Sequence, residues 1–167
     1  GLTRTEDGCY VLDGDLVSDE SIEIDLDGLL TVSGNIISKQ HIQAGWCIEA
    51  GGGIQAGWCI EAGGDIEVGD GIQAGCGIQA GGGIQAGGDI EVGDGIKAGC
   101  GIKAGCGINA GCGIKAGGRI KAGWCIKAGA SIEAGASIEA GDGIQAGASI
   151  ESNTFIDVGL RIFAGIS

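Results

Sequence analysis

Isoleucine recurs at every sixth position from Ile36 to Ile162, twenty-two times without an interruption. From Ile42 onward, Ala or Val follows two positions later and Gly three positions later, with Ser152 and Asn153 as the exceptions. The repeat unit is therefore I-x-A-G-x-x. A fixed period of this kind is typical of arrays in which each unit packs only on its neighbours.

Each hexad has the alternation of a β-strand. The Ile and the residue two positions later point to one side of a strand, and the residue between them points to the other side. That middle residue is nearly always polar, as in Gln43, Glu49 and Lys97. A helix is excluded, because six-residue spacing drifts around its surface and each glycine would cost about 1 kcal/mol. The predicted core ladder includes Ile42, Ile48, Ile54, Ile60, Ile66, Ile72, Ile78, Ile84, Ile90 and Ile96.

The other half of each hexad predicts a turn. It consists of Gly and two variable residues, often Asp-Gly or Cys-Gly. Such a composition suits a sharp turn that needs a positive φ.

Charge and hydropathy exclude some classes of partner. The 167 residues carry a net charge of -13, which argues against nucleic acid because phosphate binding depends on Lys and Arg. No run of eighteen apolar residues is present, so we expect no membrane span. The cysteines do not show the spacing of a small disulfide framework, and the compartment stays undetermined.

The chain divides into two predicted regions. Residues 1–35 carry a net charge of -8 and lack the regular hexad, although Ile24 and Leu30 already lie on its phase. We interpret them as an irregular, acidic N-terminal cap. Residues 36–167 form the predicted solenoid, with an apolar C-terminal cap from about residue 150.

Two hexads, residues 66–71 and 90–95, both read IEVGDG. They resemble the repeats of hexapeptide-repeat β-helix proteins. The resemblance implies a left-handed parallel solenoid with three strands in each eighteen-residue coil. That family usually places its large aliphatic residue immediately before Gly, whereas this chain places Ile first and Ala next to Gly.

A flattened coil of twelve residues with two sheets is the competing fold, and the sequence favours it. The segment at 42–52 recurs at 54–64, and the segment at 64–72 recurs at 88–96. These offsets are multiples of twelve and not of eighteen. In a two-sheeted coil the Ile of one strand also lies opposite the Ala of the other, as dense packing requires. We therefore predict an all-β, two-sheeted parallel solenoid, with the three-sided form as the alternative.

No catalytic site is predicted. The resemblance implies an acyltransferase with a catalytic His on an inserted loop, or a metalloenzyme with several His ligands, but His41 is the sole histidine and no insertion interrupts the array. A triad or a metal cage needs further partners. We predict no cofactor and no metal. The corner aspartates are interpreted as turn residues rather than calcium ligands; they are Asp65, Asp70, Asp89 and Asp94.

The cysteines lie in the variable turn positions of the array. In a twelve-residue coil, Cys47 would stack on Cys59 and Cys100 on Cys112. A separation of about 4.8 Å between neighbouring strands falls within the Cα range of disulfides. The sequence leaves two interpretations open: these cysteines form disulfides, or they are unpaired small residues of the turns.

Three sets of residues are candidates for binding. Lys97, Lys103, Lys115, Lys121 and Lys127, with Arg119, form a basic belt that would accept an acidic surface. Phe155, Leu160, Phe163 and Ile166 form an apolar cluster that predicts a homo-oligomer, such as a dimer through the C-terminal end. Trp46, Trp58 and Trp124 are candidate stacking platforms for carbohydrate or for another partner.

These patterns favour a non-enzymatic structural or assembly protein, a rigid rod or spacer. A surface-binding module is the alternative, with carbohydrate favoured over ice because the four threonines form no repeated array. An acyltransferase is the third hypothesis, and it would need a ligand cleft between subunits.

Overall fold

The repeat folds as a short strand followed by a corner. The computed structural model describes residues 2–6, 8–25 and 28–165, and within these ranges it contains no helix. In a regular hexad, Ile-x-Ala or Ile-x-Val forms a strand, of three residues except in β24 (Gly143–Ala146) and β27 (Arg161–Ala164), and Gly-x-x forms the corner. The strands are β1 (Leu2–Arg4), β2 (Tyr10–Leu12), β3 (Leu16–Ser18), β4 (Ile22–Ile24), β5 (Leu30–Val32), β6 (Ile36–Ser38), β7 (Ile42–Ala44), β8 (Ile48–Ala50), β9 (Ile54–Ala56), β10 (Ile60–Ala62), β11 (Ile66–Val68), β12 (Ile72–Ala74), β13 (Ile78–Ala80), β14 (Ile84–Ala86), β15 (Ile90–Val92), β16 (Ile96–Ala98), β17 (Ile102–Ala104), β18 (Ile108–Ala110), β19 (Ile114–Ala116), β20 (Ile120–Ala122), β21 (Ile126–Ala128), β22 (Ile132–Ala134), β23 (Ile138–Ala140), β24 (Gly143–Ala146), β25 (Ile150–Ser152), β26 (Ile156–Val158) and β27 (Arg161–Ala164).

Every third strand joins the same sheet. Sheet 1 runs in the order β1-β2-β5-β8-β11-β14-β17-β20-β23-β26, sheet 2 starts at β3 and ends at β27, and sheet 3 starts at β4 and ends at β25. All pairs are parallel except β1 with β2. The chain is therefore a parallel β-solenoid of eight complete coils, β2–β4 to β23–β25, followed by β26 and β27.

The register fixes the coil at eighteen residues. Ile60 pairs with Ile42 on one side and with Ile78 on the other. The predicted twelve-residue, two-sheeted coil is wrong, and the three-sided alternative is confirmed. The repeated segments do not indicate the coil size. The copies that start at residues 42 and 54 form β7 in sheet 3 and β9 in sheet 2. The same hexad can therefore serve on different faces.

The corners explain why the coil has three sides. Among the described residues only Gly8 and Gly14 have a positive φ, so the predicted positive-φ turns of the array are wrong. The tight turns that reverse a chain between two strands depend on positive φ. Without it, each three-residue corner bends the chain only part of the way, and three bends close the coil.

Glycine is required at the corners because consecutive coils approach closely. A Cβ on Gly99 would overlap the carbonyl oxygen of Gly81, one coil earlier. The backbone N–H of Gly99 donates to the carbonyl of Ala80 at 3.0 Å. Glycine thus allows close contact between coils.

The core is a stack of isoleucine and small residues. Every hexad isoleucine from Ile36 to Ile144, including the predicted core ladder, is at most 2 % exposed. The Ala residues between them are also buried, whereas the middle residues of the strands face outward. Each regular coil therefore contributes three large and three small side chains to the interior.

The first coil is two residues longer than the others. Tyr10 pairs with Leu30 and Ile22 pairs with Ile42, each an offset of twenty residues. Leu30 begins a strand, as the hexad phase predicts, but Ile24 is the third residue of a strand that begins at Ile22. The extra residues lie between β4 and β5.

The two ends of the solenoid differ. At the N-terminal end, β1 pairs antiparallel with β2, from Leu2 opposite Leu12 to Arg4 opposite Tyr10. At the other end, β25, β26 and β27 each have a neighbour on one side only. Among the described residues, these strands are the last ones of their sheets.

Candidate functional site

The middle residues of the strands form one outward ladder on each face. Because the strands pair in register, each ladder contains residues eighteen apart in the regular coils. The sheet 1 ladder is Val11, Thr31, Glu49, Glu67, Gln85, Lys103, Lys121, Glu139 and Asp157. The sheet 2 ladder is Val17, Ile37, Gln55, Gln73, Glu91, Asn109, Lys127, Gln145 and Phe163. The sheet 3 ladder is Glu23, Gln43, Glu61, Gln79, Lys97, Lys115, Glu133 and Glu151.

The ladders group charges of one sign on adjacent coils. On sheet 1, Glu49 lies beside Glu67 and Lys103 lies beside Lys121. Like charges directly opposite each other on neighbouring strands are destabilising. Packing of the interior does not explain why like charges lie on adjacent strands of this surface.

The predicted basic belt extends from β16 to β21 and so involves three consecutive coils. Its C-terminal edge meets acidic residues of the next coil: Lys115 Nζ lies 2.6 Å from Glu133 Oε2. Lys121 Nζ lies 3.0 Å from Glu139 Oε2, and Arg119 Nε lies 3.2 Å from Glu139 Oε1. These pairs involve three of the six cations of the belt.

The ion pairs change two pKa values. The hydrogen bond from Lys115 to Glu133, with the negative charge of that carboxylate, raises the pKa of the Lys115 ammonium. The hydrogen bond from Lys121, with the nearby Arg119, lowers the pKa of the Glu139 carboxyl against the opposing effect of burial. Both shifts favour the charged forms that make the pairs.

The remaining lysines of the belt point into solvent. Within the part of the chain that the structure describes, Lys97, Lys103 and Lys127 make no ion pair. Glu49 and Glu67 also make no ion pair within the described residues. Glu49 accepts a hydrogen bond from Thr31 at 2.7 Å, and Glu67 accepts one from Gln85 at 2.9 Å.

The predicted cysteine pairs are not brought together. All eight cysteines are free thiols. Cys47 and Cys100 lie at corners between sheets 3 and 1, whereas Cys59 and Cys112 lie at corners between sheets 2 and 3. The stacking expected from a twelve-residue coil fails because the coil has eighteen residues.

Cys59 instead neighbours Cys76, a pair that the sequence analysis missed. The N–H of Cys76 donates to the carbonyl of Trp58 at 3.1 Å, which places the two cysteines at the same corner of consecutive coils. Burial and the adjacent Cys59 thiol raise the pKa of the Cys76 thiol. An offset near eighteen would have revealed this pair had the coil length been known.

Two of the corner aspartates hold neighbouring coils together. Asp65 Oδ1 accepts the N–H of Gly83 at 2.6 Å, and Asp89 Oδ1 accepts the N–H of Gly107 at 2.7 Å. Asp70 and Asp94 lie one position earlier in their corners. Among residues 2–6, 8–25 and 28–165, no group of three or more His, Cys, Asp or Glu side chains is arranged to hold a metal ion.

The tryptophans do not form one platform. Trp46, Trp58 and Trp124 are 55–60 % exposed, but each lies at a different corner of the triangular coil. His41, the sole histidine of the sequence, has its ring centroid 5.5 Å from that of Trp58. The histidine therefore contacts an aromatic side chain of the next coil.

The C-terminal coil carries an apolar surface. Phe155, Leu160 and Phe163 are 51 %, 76 % and 56 % exposed. Phe163 is the last residue of the sheet 2 ladder, where other coils carry a polar side chain in most cases. Ile166, predicted to join this cluster, lies outside the described residues.

The surface contains shallow grooves along its faces. Two of them flank the sheet 1 ladder: one runs beside Ala50, Val68 and Ala86, and the other runs beside Ile66, Ile84 and Ile102. Within the described ranges, no helix is long and apolar enough to cross a membrane. No protein-family model, curated protein or solved structure shows significant similarity to this chain.

Proposed function

We propose that the protein is a non-enzymatic structural rod that self-associates through its C-terminal end. The observation that carries this proposal is the contrast between a run of near-identical coils with polar outward residues and one coil with exposed apolar side chains. The rod comes from stacking, because each coil finds hydrogen-bond partners in the coils before and after it.

The C-terminal coil supplies the means of association. Phe155 of this coil is 51 % exposed, and an exposed apolar patch often marks a protein–protein contact. Leu160 and Phe163 place exposed apolar side chains on the same coil. Two such ends would cover each other's apolar surface in an isologous dimer.

An enzymatic role finds no support in the arrangement of the side chains. The one histidine packs against Trp58, and the corner carboxylates Asp65 and Asp89 are engaged with backbone N–H groups. The exposed tryptophans lie at separate corners, so they do not favour a shared carbohydrate platform over the structural role.

The proposal is tested by replacing Phe163 with lysine. We expect the 167-residue chain to form an end-to-end particle, and F163K to weaken this association about tenfold or more, because a charge replaces a desolvated aromatic ring. Sedimentation velocity gives the association state and small-angle scattering gives the length. Two abutted rods of eight coils extend to roughly 80 Å at about 4.8 Å per coil, against roughly 40 Å for one.

The matched control is Gln145→Lys. Gln145 is the register partner of Phe163 in the preceding coil and is also exposed, so Q145K introduces the same charge on the same face. It should leave association unchanged. A rod of single length at all concentrations, or equal effects of F163K and Q145K, would exclude association through this end.

A further inference from the structure

The charges in the middle of the sheet 1 ladder are complementary to the same charges read in the opposite direction. Read from the N-terminal side, its five central residues are two glutamates, then Gln85, then two lysines. Gln85 lies on β14, the fifth of the nine parallel strands in this sheet. A copy turned end over end about this midpoint would therefore present Lys103 opposite Glu67 and Lys121 opposite Glu49.

We propose that sheet 1 is the interface of an antiparallel, face-to-face homodimer. Its two-fold axis would run along β14 between the two faces. Gln85 then meets Gln85 of the second copy, Glu67 meets Lys103, and Glu49 meets Lys121. Each pair occurs twice, because the same patch serves both copies in a two-fold interface.

The monomer alone does not compensate these charges well. Each outward residue of the ladder is one rung. Glu49 and Glu67 lie on adjacent rungs, as do Lys103 and Lys121, and each of these two pairs is repulsive. Of the four, only Lys121 makes an ion pair within the described residues, with Glu139, and its ammonium retains two further N–H donors. A second copy would place an opposite charge against each of them.

The charge order also selects one register and one orientation. Moving the axis by half a rung toward the C-terminus sets Glu49 against Glu139, a repulsive pair. Moving it by half a rung toward the N-terminus leaves a single attractive pair, Glu49 with Lys103, in each half. Two copies in the same orientation without a shift would set every charge against its own kind. The axis at Gln85 gives two attractive pairs in each half, with no repulsive pair, and overlaps the whole ladder.

The other two faces fit less well. The sheet 2 ladder has one acid and one base, Glu91 and Lys127. On sheet 3, the register that matches most charges overlaps only four rungs and uses Lys115 and Glu133, which already bind each other. Sheet 1 is therefore the face with the best self-complementarity.

The size of the face predicts a salt-sensitive association. Nine rungs at about 4.8 Å and a face roughly 15 Å wide give on the order of 600 Å² for each copy, near the low end for specific interfaces. The grooves beside the ladder leave room for long side chains of the second copy to lie between rungs. With so little area, complementary charges fix the register and are screened by salt.

This proposal is independent of the association through the C-terminal end. A face-to-face dimer keeps the length of one rod and doubles its cross-section, whereas an end-to-end dimer doubles the length. Small-angle scattering separates the two, and F163K should leave the face-to-face dimer intact.

The test uses charge reversal and then mixing. E67K sets lysine against Lys103, and K103E sets glutamate against Glu67, so each variant alone should weaken the dimer about tenfold or more at low salt. Mixing the two variants makes both pairs attractive again. We expect a heterodimer with nearly wild-type affinity, seen as the mixed mass in native mass spectrometry and as a heavier species in sedimentation.

The controls come from an identical stretch of sequence. Residues 64–72 and 88–96 are the same nine residues, so Glu91→Lys on sheet 2 matches E67K in local sequence and charge change. Lys127→Glu on sheet 2 matches K103E. Neither control should weaken the dimer, and circular dichroism should show that all four variants keep the strand signal.

Three results would overturn the proposal. The first is a wild-type chain without a particle of single length and double cross-section at low salt. The second is equal weakening by E67K and E91K, which would indicate a general effect of charge. The third is a mixture of E67K and K103E that does not recover the dimer.

Discussion

Ile138 and Ile156 occupy the same position of sheet 1 in consecutive coils, yet the first is fully buried and the second is 37 % exposed. Ile144 and Ile162 differ in the same way on sheet 2, at 1 % and 47 %. The residue type and its place in the strand are shared, and the difference is that a described coil stacks on the C-terminal side of Ile138 and Ile144 only. In this solenoid, burial belongs to the contact between coils rather than to the hexad itself.

The largest difference in stability is expected when an isoleucine is removed from a middle coil and, separately, from the last coil. Ile84→Ala leaves a cavity in a fully stacked core, and we expect it to lower the free energy of unfolding by about 2–5 kcal/mol. Ile156→Ala removes the same atoms from a half-covered position and should cost about 1 kcal/mol or less. Urea denaturation followed by circular dichroism measures both. Equal losses would show that the end coil is as well packed as the middle.

A smaller effect is expected from adding a methyl group at a corner. Gly99→Ala would force a Cβ into the carbonyl of Gly81, so we expect a loss of about 1–3 kcal/mol in the free energy of unfolding. Gly45 begins the corresponding corner beside the irregular first coil, and a Cβ there meets no atom of the described residues within 4 Å. Gly45→Ala should therefore be nearly neutral. Thermal unfolding of both variants checks this, and a destabilised G45A with a neutral G99A would contradict close stacking as the reason for glycine.

The smallest effect concerns the ion pairs between the belt and the next coil. The pKa of Glu139 is lowered in the folded chain, so its contribution to stability is present above the ordinary glutamate pKa of about 4.3. The contribution is lost as the pH falls through the lowered native pKa. We expect E139Q to cost a few tenths to about 1 kcal/mol near neutral pH, and the difference from wild type should vanish in acid.

Denaturation midpoints measured across the acidic range test this prediction. Glu91→Gln is the control, because Glu91 makes no ion pair in the part of the chain that the structure describes. A gap between wild type and E139Q that does not depend on pH, or an equal cost for E91Q, would argue against the pairs of Glu139 with Lys121 and Arg119.

The strand and its inward face were predictable from local spacing. Ile60 and Ala62 point inward and Glu61 points outward because side chains alternate along any strand. Coil size was not predictable in this way. Both twelve and eighteen residues are multiples of the hexad, and the choice depends on how far each corner bends. The corners bend without positive φ, a backbone property that Gly-x-x does not specify.

The candidate surface depended on that choice. The pairing of Lys103 with Lys121 and of Glu49 with Glu67 exists only at an offset of eighteen, and the stacking of Cys47 on Cys59 fails for the same reason. The extra residues before Leu30 were hidden because Ile24 happens to keep the hexad phase while its strand begins at Ile22.

By itself, the sequence determined a parallel array of short strands with an isoleucine core, because a six-residue period with strand alternation has no other way to bury its apolar side. Only the tertiary structure decided the number of sides and therefore which outward residues become neighbours. The physical reason is that contacts between coils join residues eighteen apart, and no local preference of a hexad records that distance.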